Sequence, residues 1–273
     1  MRKRFKIALA VVPLALAGVF SWQAAQPEPV YQGKRLSEWL KDYPSPKIVT
    51  SGSFSWLAED GMEERNKANE AVRQAGTKAI PTLLRMLRAR DSALKLKLIT
   101  LAQKQHLIEI GHTPAQKWNR AAVTGFSLLG TNAHSAVPAL IEIADQDISP
   151  SSQTAAIQSL GYVGPPAKQA VPSLLLLATN AHWELRSAAV RALGRIHVEP
   201  NRVLPVLTNA LHDTNVSVQL YAVGALRDFG PNAKLAVPAL FEYLSHAASP
   251  YRLEIDSALK AIDPQAAAKA GIK

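Results

Sequence analysis

Along most of this chain, apolar side chains come in threes at helical spacing. Ala122, Phe126 and Leu129 form one triplet; Ala156, Leu160 and Val163, Ala189, Leu193 and Ile196, and Ala222, Leu226 and Phe229 form three more. Each occupies i, i+4 and i+7, which is one face of a helix. The small residue leading each triplet lets a neighbouring helix approach closely. The position after each triplet is Gly130, Gly164, His197 or Gly230. Glycine there suits a helix end that turns with positive φ, so the turn at His197 is predicted to be built differently. A second phrase follows: Ala136-Val137-Pro138-Ala139-Leu140, Ala170-Val171-Pro172-Ser173-Leu174, Val203-Leu204-Pro205-Val206-Leu207 and Ala236-Val237-Pro238-Ala239-Leu240. Ala79-Ile80-Pro81-Thr82-Leu83 is an earlier copy. Proline is tolerated in a first helical turn, where its missing N–H has no partner to lose. Apolar residues continue at helical spacing, as in Val171, Leu174, Leu175 and Ala178. Each unit is therefore predicted to be helix, tight turn, helix.

The last four prolines are 34, 33 and 33 residues apart. A fixed period of that size marks stacked repeats, because one such hairpin cannot bury its apolar face alone. The pattern A-x-x-x-L-G-x-x-G…A-V-P-x-L, running from Ala156 to Leu174, resembles the HEAT repeat. It is closest to the short HEAT-like units of phycobilisome lyases and of exported bacterial proteins, and it extends over roughly residues 65–265. The resemblance implies an all-α fold, a right-handed α-solenoid of HEAT-type hairpins with an armadillo-like superhelix. It also implies a protein-binding scaffold rather than an enzyme. Tyr31 to Leu40 resembles a lead-in found before such repeats in exported bacterial proteins. Within it a short helix is predicted over Leu36 to Lys41, capped by Ser37. Gln26 to Val30 reads as an extended linker and Tyr43 to Ser55 as a loop. Thr113 to Gln116 has capping-box spacing at the start of a later helix. No window shows a convincing strand alternation.

The N-terminus follows another logic. Arg2, Lys3, Arg4 and Lys6 precede an apolar run from Ile7 to Phe20. That is the arrangement of an export signal. The run is shorter than the ~20 residues of a spanning helix, although extension to Ala25 nearly reaches that length. Residues 1–25 are thus read as a signal peptide or an N-terminal membrane anchor, residues 26–64 as linker and lead-in, and residues 65–273 as the solenoid. Export places the chain in the periplasm, or elsewhere in the cell envelope. The chain has no cysteine, which excludes a lipoprotein anchor, disulfides and thiolate metal sites.

Charge adds one local feature. Residues 65–120 carry twelve cations against three acids, whereas residues 121–273 carry eleven of each. Arg85, Arg88, Arg90, Lys95, Lys97 and Lys104 form the basic cluster. It reads either as the solvated outer face of one or two helices or as a footprint for an anionic membrane, worth about 1 kcal/mol per cation. Trp118 is the one aromatic in that segment, which argues against nucleic acid, where stacking platforms are needed. The period also slips here, with 57 residues between Pro81 and Pro138, and an irregular helix is predicted over about Ala93 to His106.

Candidate chemistry is sparse. Seven histidines include no H-E-x-x-H and no His-Glu dipeptide. The repeated dipeptide is the ligand signature of deoxyhypusine hydroxylase, an iron-binding HEAT-repeat enzyme, so that activity is set aside. No metal, cofactor or catalytic set is predicted, and G-x-S-x-G is missing. Gly161 to Gly164 falls at a helix terminus in the repeat register rather than in a phosphate loop. The lyase likeness would imply chromophore handling, but no cluster of arginine, aspartate and aromatic residues favours it. What remains is the surface. In HEAT solenoids the second helices line the concave side, where Leu176 and Val206 are apolar in otherwise small or polar columns. They mark a partner groove, or they pack beneath a neighbour. The expectation is a non-enzymatic scaffold in the cell envelope that binds another protein; the alternatives are peripheral binding to an anionic membrane and a chromophore-handling role.

Overall fold

The computed structural model describes residues 28–44, 48–51, 54–57, 61–92, 96–97, 113–146, 148–246 and 251–272. The export segment and the helix predicted over Ala93 to His106, apart from residues 96–97, lie outside them. A short helix, α1 (Leu36–Lys41), precedes six helical hairpins among the described residues. These are α2 (Met62–Ala75) with α3 (Ile80–Leu87), α4 (Ala115–Leu129) with α5 (Val137–Asp145), and α6 (Pro150–Val163) with α7 (Val171–Leu177). Then come α8 (Trp183–Ile196) with α9 (Pro200–Ala210), α10 (Val216–Phe229) with α11 (Val237–His246), and α12 (Arg252–Ile262) with α13 (Pro264–Lys269). The result is an all-α solenoid of helical repeats.

The apolar triplets form the seam between successive hairpins. Phe126, Leu160, Leu193 and Leu226 are buried, and the leading Ala122, Ala156, Ala189 and Ala222 are fully covered. Burying each large side chain stabilises by about 1.5–3 kcal/mol. First helices pack in order, α4 on α6, α6 on α8, α8 on α10 and α10 on α12. Small residues set their approach: a Cβ placed on Gly161 would lie 3.1 Å from the Ala192 Cα, and one on Gly194 would lie 2.9 Å from the Ala225 Cα.

The glycine turns are as predicted. Gly76, Gly130, Gly164 and Gly230 have φ of +52°, +53°, +72° and +54°. Their ψ values, from −132° to −145°, place them in a region that a Cβ effectively closes. A 3₁₀ segment follows each: Gly76–Ala79, Gly130–Ala136, Pro165–Ala170 and Gly230–Ala236. His197 cannot take that route. It adopts φ +53° and ψ +43°, a left-handed conformation open to non-glycine residues, and no 3₁₀ segment follows. Glu199 is left-handed as well, and α9 begins early, at Pro200. One expectation therefore fails: Pro205 is inside its helix, not in the first turn, whereas Pro138, Pro172 and Pro238 are second residues of theirs.

The N-terminal readings need further correction. Val30–Tyr31 pairs antiparallel with Lys34–Arg35 (β1 and β2), and Ile48–Ser51 pairs with Phe54–Leu57 (β3 and β4). Strands of two and four residues are too short to display an alternation. The first of these turns through Gln32 and Gly33, with φ of +49° and +74°, the signs a tight hairpin requires. Ser37 does not cap α1; its hydroxyl donates to Glu28 Oε1 at 2.9 Å. Thr113 does not cap α4 either: the helix starts at Ala115 with Pro114 in the N-cap position, and the Ala115 N–H donates to Asp91 Oδ2 at 2.9 Å. Residues 28–30 are not a free linker. The Glu28 side chain is 4% exposed and pairs with Arg85 at 3.0 Å. Leu36 and Leu40 are 1% exposed in the core, and α1 packs on α2, α3 and α4.

Candidate partner-binding face

A polar column that sequence reasoning missed sets the stacking of the hairpins. Asn119, Gln153, Arg186, Gln219 and Arg252 are 34, 33, 33 and 33 residues apart, matching the prolines where both are present. Each side-chain N–H group caps a carbonyl near the turn before its own helix. Asn119 Nδ2 donates to the carbonyls of Met86 and Leu87 at 3.0 and 2.9 Å. Gln153 reaches the Ala144 carbonyl at 3.1 Å, Gln219 that of Asp213 at 2.6 Å, and Arg252 that of Leu244 at 3.4 Å. Arg186 holds the carbonyls of Asn180 and Ala181 at 2.9 and 3.0 Å. Its remaining N–H groups grip both Asp213 oxygens, at 2.7 and 2.8 Å. These bonds hold the Asp213 carboxyl below the usual carboxylate range, helped by the Asn215 N–H, and they raise Arg186. The signal was available: a shared period in which every member is a side-chain N–H donor.

The candidate residues divide on the surface. Arg85 meets Glu28, and Arg88 meets Glu142 at 3.4 Å. Arg90 and Lys97 are exposed, while Lys95 and Lys104 lie outside the described residues. Leu176 is 76% exposed. Its repeat equivalents Glu142, Asn209 and Glu242 are exposed too, so this column faces outward. Val206 belongs to another column. Like Ala139, Ser173 and Ala239 it is half-buried, and it packs against the core rather than standing free.

Near Val206 the irregular hairpin opens a groove. A cavity of about 450 Å³ lies between α9 and the Gly230–Ala236 turn. Pro200, Leu204 and Pro205 line one wall, and Leu235, 95% exposed, stands on the other. Asn201, Asn209 and Asn232 supply polar groups, and no charged side chain is among the lining residues. The other long hairpins carry a 3₁₀ segment where α9 has already begun, so the Gly230–Ala236 turn lacks a matching neighbour. On the first helices, Arg195 stacks over Tyr162 at 4.0 Å and Arg191 over Tyr221 at 5.1 Å, which ties successive hairpins together. Among the described residues, no three metal-ligating side chains converge, and no helix is long and apolar enough to cross a membrane.

A family model described as HEAT repeats matches residues 137–217. Among solved structures, importin beta, crystallised in an ammonium sulfate condition, superposes with a TM-score of 0.50 at 16% identity. That match covers 79% of this chain and 28% of importin beta, so this chain spans a little over a quarter of that protein. A designed armadillo repeat protein in complex with the peptide (KR)4 is 17% identical with a TM-score of 0.47, covering 84% of this chain and 99% of the designed one. An engineered protein is 20% identical with a TM-score of 0.47, covering 84% of this chain and 96% of its own. No curated protein matches the chain.

Proposed function

We propose that this HEAT-repeat protein is a non-catalytic scaffold that binds another protein in the cell envelope through its second-helix face. The observation that carries the reading is the groove beside α9, with Leu176 exposed on the preceding hairpin. Leu235 in the groove and Leu176, whose repeat equivalent Asn209 lines the groove, are large apolar side chains left in solvent, and exposed apolar surface favours association. The envelope location rests on the basic residues Arg2 to Lys6 and the apolar run that follows them, which lie outside the described residues. The lipid-surface alternative is weakened, because Arg85 and Arg88 both face carboxylates.

The test is site-specific photocrosslinking in the native cell. A photoreactive residue at Leu176 or Asn209 is expected to give discrete protein adducts, and one at Leu253, on a first helix, is expected to give none. Adducts at none of the three positions, or equal adducts at all three, overturn the scaffold reading. Protease accessibility of the full chain in cells with a permeabilised outer layer checks the location. A chain protected until the cytoplasmic membrane is broken refutes export.

A further inference from the structure

We propose that the solenoid rests on a lipid surface through the rim where its first helices begin, with Trp183, Val216 and Leu253 set into the headgroup layer. This orientation goes beyond the scaffold reading, and it rests on the envelope location with residues 1–25 kept as an anchor.

Two independent observations point to that rim. Each second helix ends, and the next first helix begins, along one edge of the stack. Helix starts favour acidic or capping side chains, which complement the dipole and the unpaired N–H groups. Four of the first helices start instead with a large apolar residue left in solvent. Met62, Trp183 and Val216 are the first residues of α2, α8 and α10, and Leu253 is the second of α12. They are 44%, 42%, 44% and 77% exposed. Among the described residues, the opposite rim, made by the turns within hairpins, exposes one large apolar side chain, Leu235.

The chain also enters the fold at the first of these rims. Glu28 is buried against Arg85 at 3.0 Å and Ser37 at 2.9 Å. Arg85 lies in the last turn of α3, beside the Met86 and Leu87 carbonyls that Asn119 of α4 caps. The apolar stretch, extended to Ala25, ends three residues before Glu28. Three residues reach at most about 11 Å. A bilayer holding that stretch therefore lies close to the rim that carries Trp183, Val216 and Leu253. Indole suits this boundary, with its apolar ring and polar N–H. Glu184 and Glu254 directly follow Trp183 and Leu253. The contact is accordingly shallow and apolar, and it does not use the basic cluster that Glu28 and Glu142 neutralise in part. The second-helix face stays open to a protein partner.

The chain has no cysteine, so single cysteines can carry nitroxide labels without further change. The full chain is reconstituted in phosphatidylcholine vesicles with a label at Val216→Cys or Leu253→Cys, or at Lys168→Cys or Leu235→Cys on the opposite rim. Power-saturation electron paramagnetic resonance compares access by oxygen, which concentrates in lipid, with access by a water-soluble nickel chelate. Labels replacing Val216 and Leu253 are expected to shift toward oxygen, equally at high salt, and those replacing Lys168 and Leu235 to stay with the chelate. Adding Trp183→Ser is expected to diminish the shift at Val216. The same accessibility at all four positions, a shift that requires phosphatidylglycerol, or an undiminished shift in Trp183→Ser would overturn the proposal. So would a native chain whose mass lacks residues 1–25. If adducts at Leu176 persist in any of these events, the orientation has failed and the scaffold reading stands.

Discussion

Two glycines inside first helices should respond in opposite directions to the same substitution. Gly194 lies in α8 and Gly224 in α10. Replacing glycine by alanine in a helix interior gains about 1 kcal/mol in backbone propensity. At Gly224 an added Cβ meets nothing within 4 Å, so the whole gain is expected as stability. At Gly194 the Cβ would sit 2.6 Å from the Ala225 Cβ and 2.9 Å from its Cα. Carbon atoms rest about 3.5–4.0 Å apart, so α8 and α10 must separate by about 1 Å. No side chain can rotate to relieve the clash, since one partner atom is backbone. The separation would loosen the seam formed by Ala189, Leu193, Ala222 and Leu226. Overpacking costs about 1–3 kcal/mol, and the upper end applies against backbone. With the propensity gain subtracted, Gly194→Ala is expected to lose about 2 kcal/mol, leaving about 3 kcal/mol between the two variants. Urea unfolding followed by far-UV circular dichroism measures the difference. Hydrogen exchange locates it, because a repeat touches only its neighbours and the loss should concentrate in α8 and α10. A Gly194→Ala protein as stable as the parent would refute the close-approach argument, as would a Gly224→Ala protein destabilised to the same degree.

Two other consequences follow from the polar column. The folded pKa of Asp213 is lowered chiefly by the Arg186 hydrogen bonds, so the stability it contributes is present above the unfolded value of about 3.9 and is lost as pH falls through the folded value. Asp213→Asn should flatten that acid limb, and Arg186→Lys, which keeps the charge without the planar fork, should shrink it; superimposable acid-unfolding curves for Asp213→Asn and the parent would contradict this. Asn119 is 1% exposed, and Asn119→Ala strips the Met86 and Leu87 carbonyls of a donor, an expected loss of about 1–3 kcal/mol in chemical denaturation. Unchanged stability, with unchanged exchange at the end of α3, would show that the cap is dispensable.

What the sequence made legible is what burial repeats. The triplets from Ala122 to Phe229 and the glycines after them recur because each hairpin meets the same neighbour in the same way. The column from Asn119 to Arg252 obeys the same period but varies in residue type. Its members share only a hydrogen-bond donor, which identity-based reading passes over. Ser37 and Thr113 failed as caps for a different reason. Local spacing misplaces each helix start by a residue or two, at Leu36 after Arg35 and at Ala115 after Pro114, and it cannot see a remote acceptor such as Asp91, 24 residues from the amide that donates to it. Leu176 and Val206 looked alike as apolar residues in polar columns. The side each column faces, outward for Leu176 and inward for Val206, separates them.

The groove traces back to a single position. Glycine at residue 197 would open the backbone region used by Gly130, Gly164 and Gly230, and with it a 3₁₀ turn. Histidine closes that region, so the chain leaves α8 through left-handed residues at His197 and Glu199. The imidazole is held in place by stacking on Phe229 of the next hairpin, centroids 4.2 Å apart and 22° from parallel. Starting α9 at Pro200 then moves Pro205 into the helix interior, where it deprives the Asn201 carbonyl of a donor, and leaves the Gly230–Ala236 turn facing a cavity instead of a matching turn. A departure with no use would be expected to cost stability and return nothing. Here the departure, its supporting ring contact and the uncharged, amide-lined cavity lie at the same hairpin junction, which is why the irregular unit, rather than the regular ones, is the place where recognition is expected.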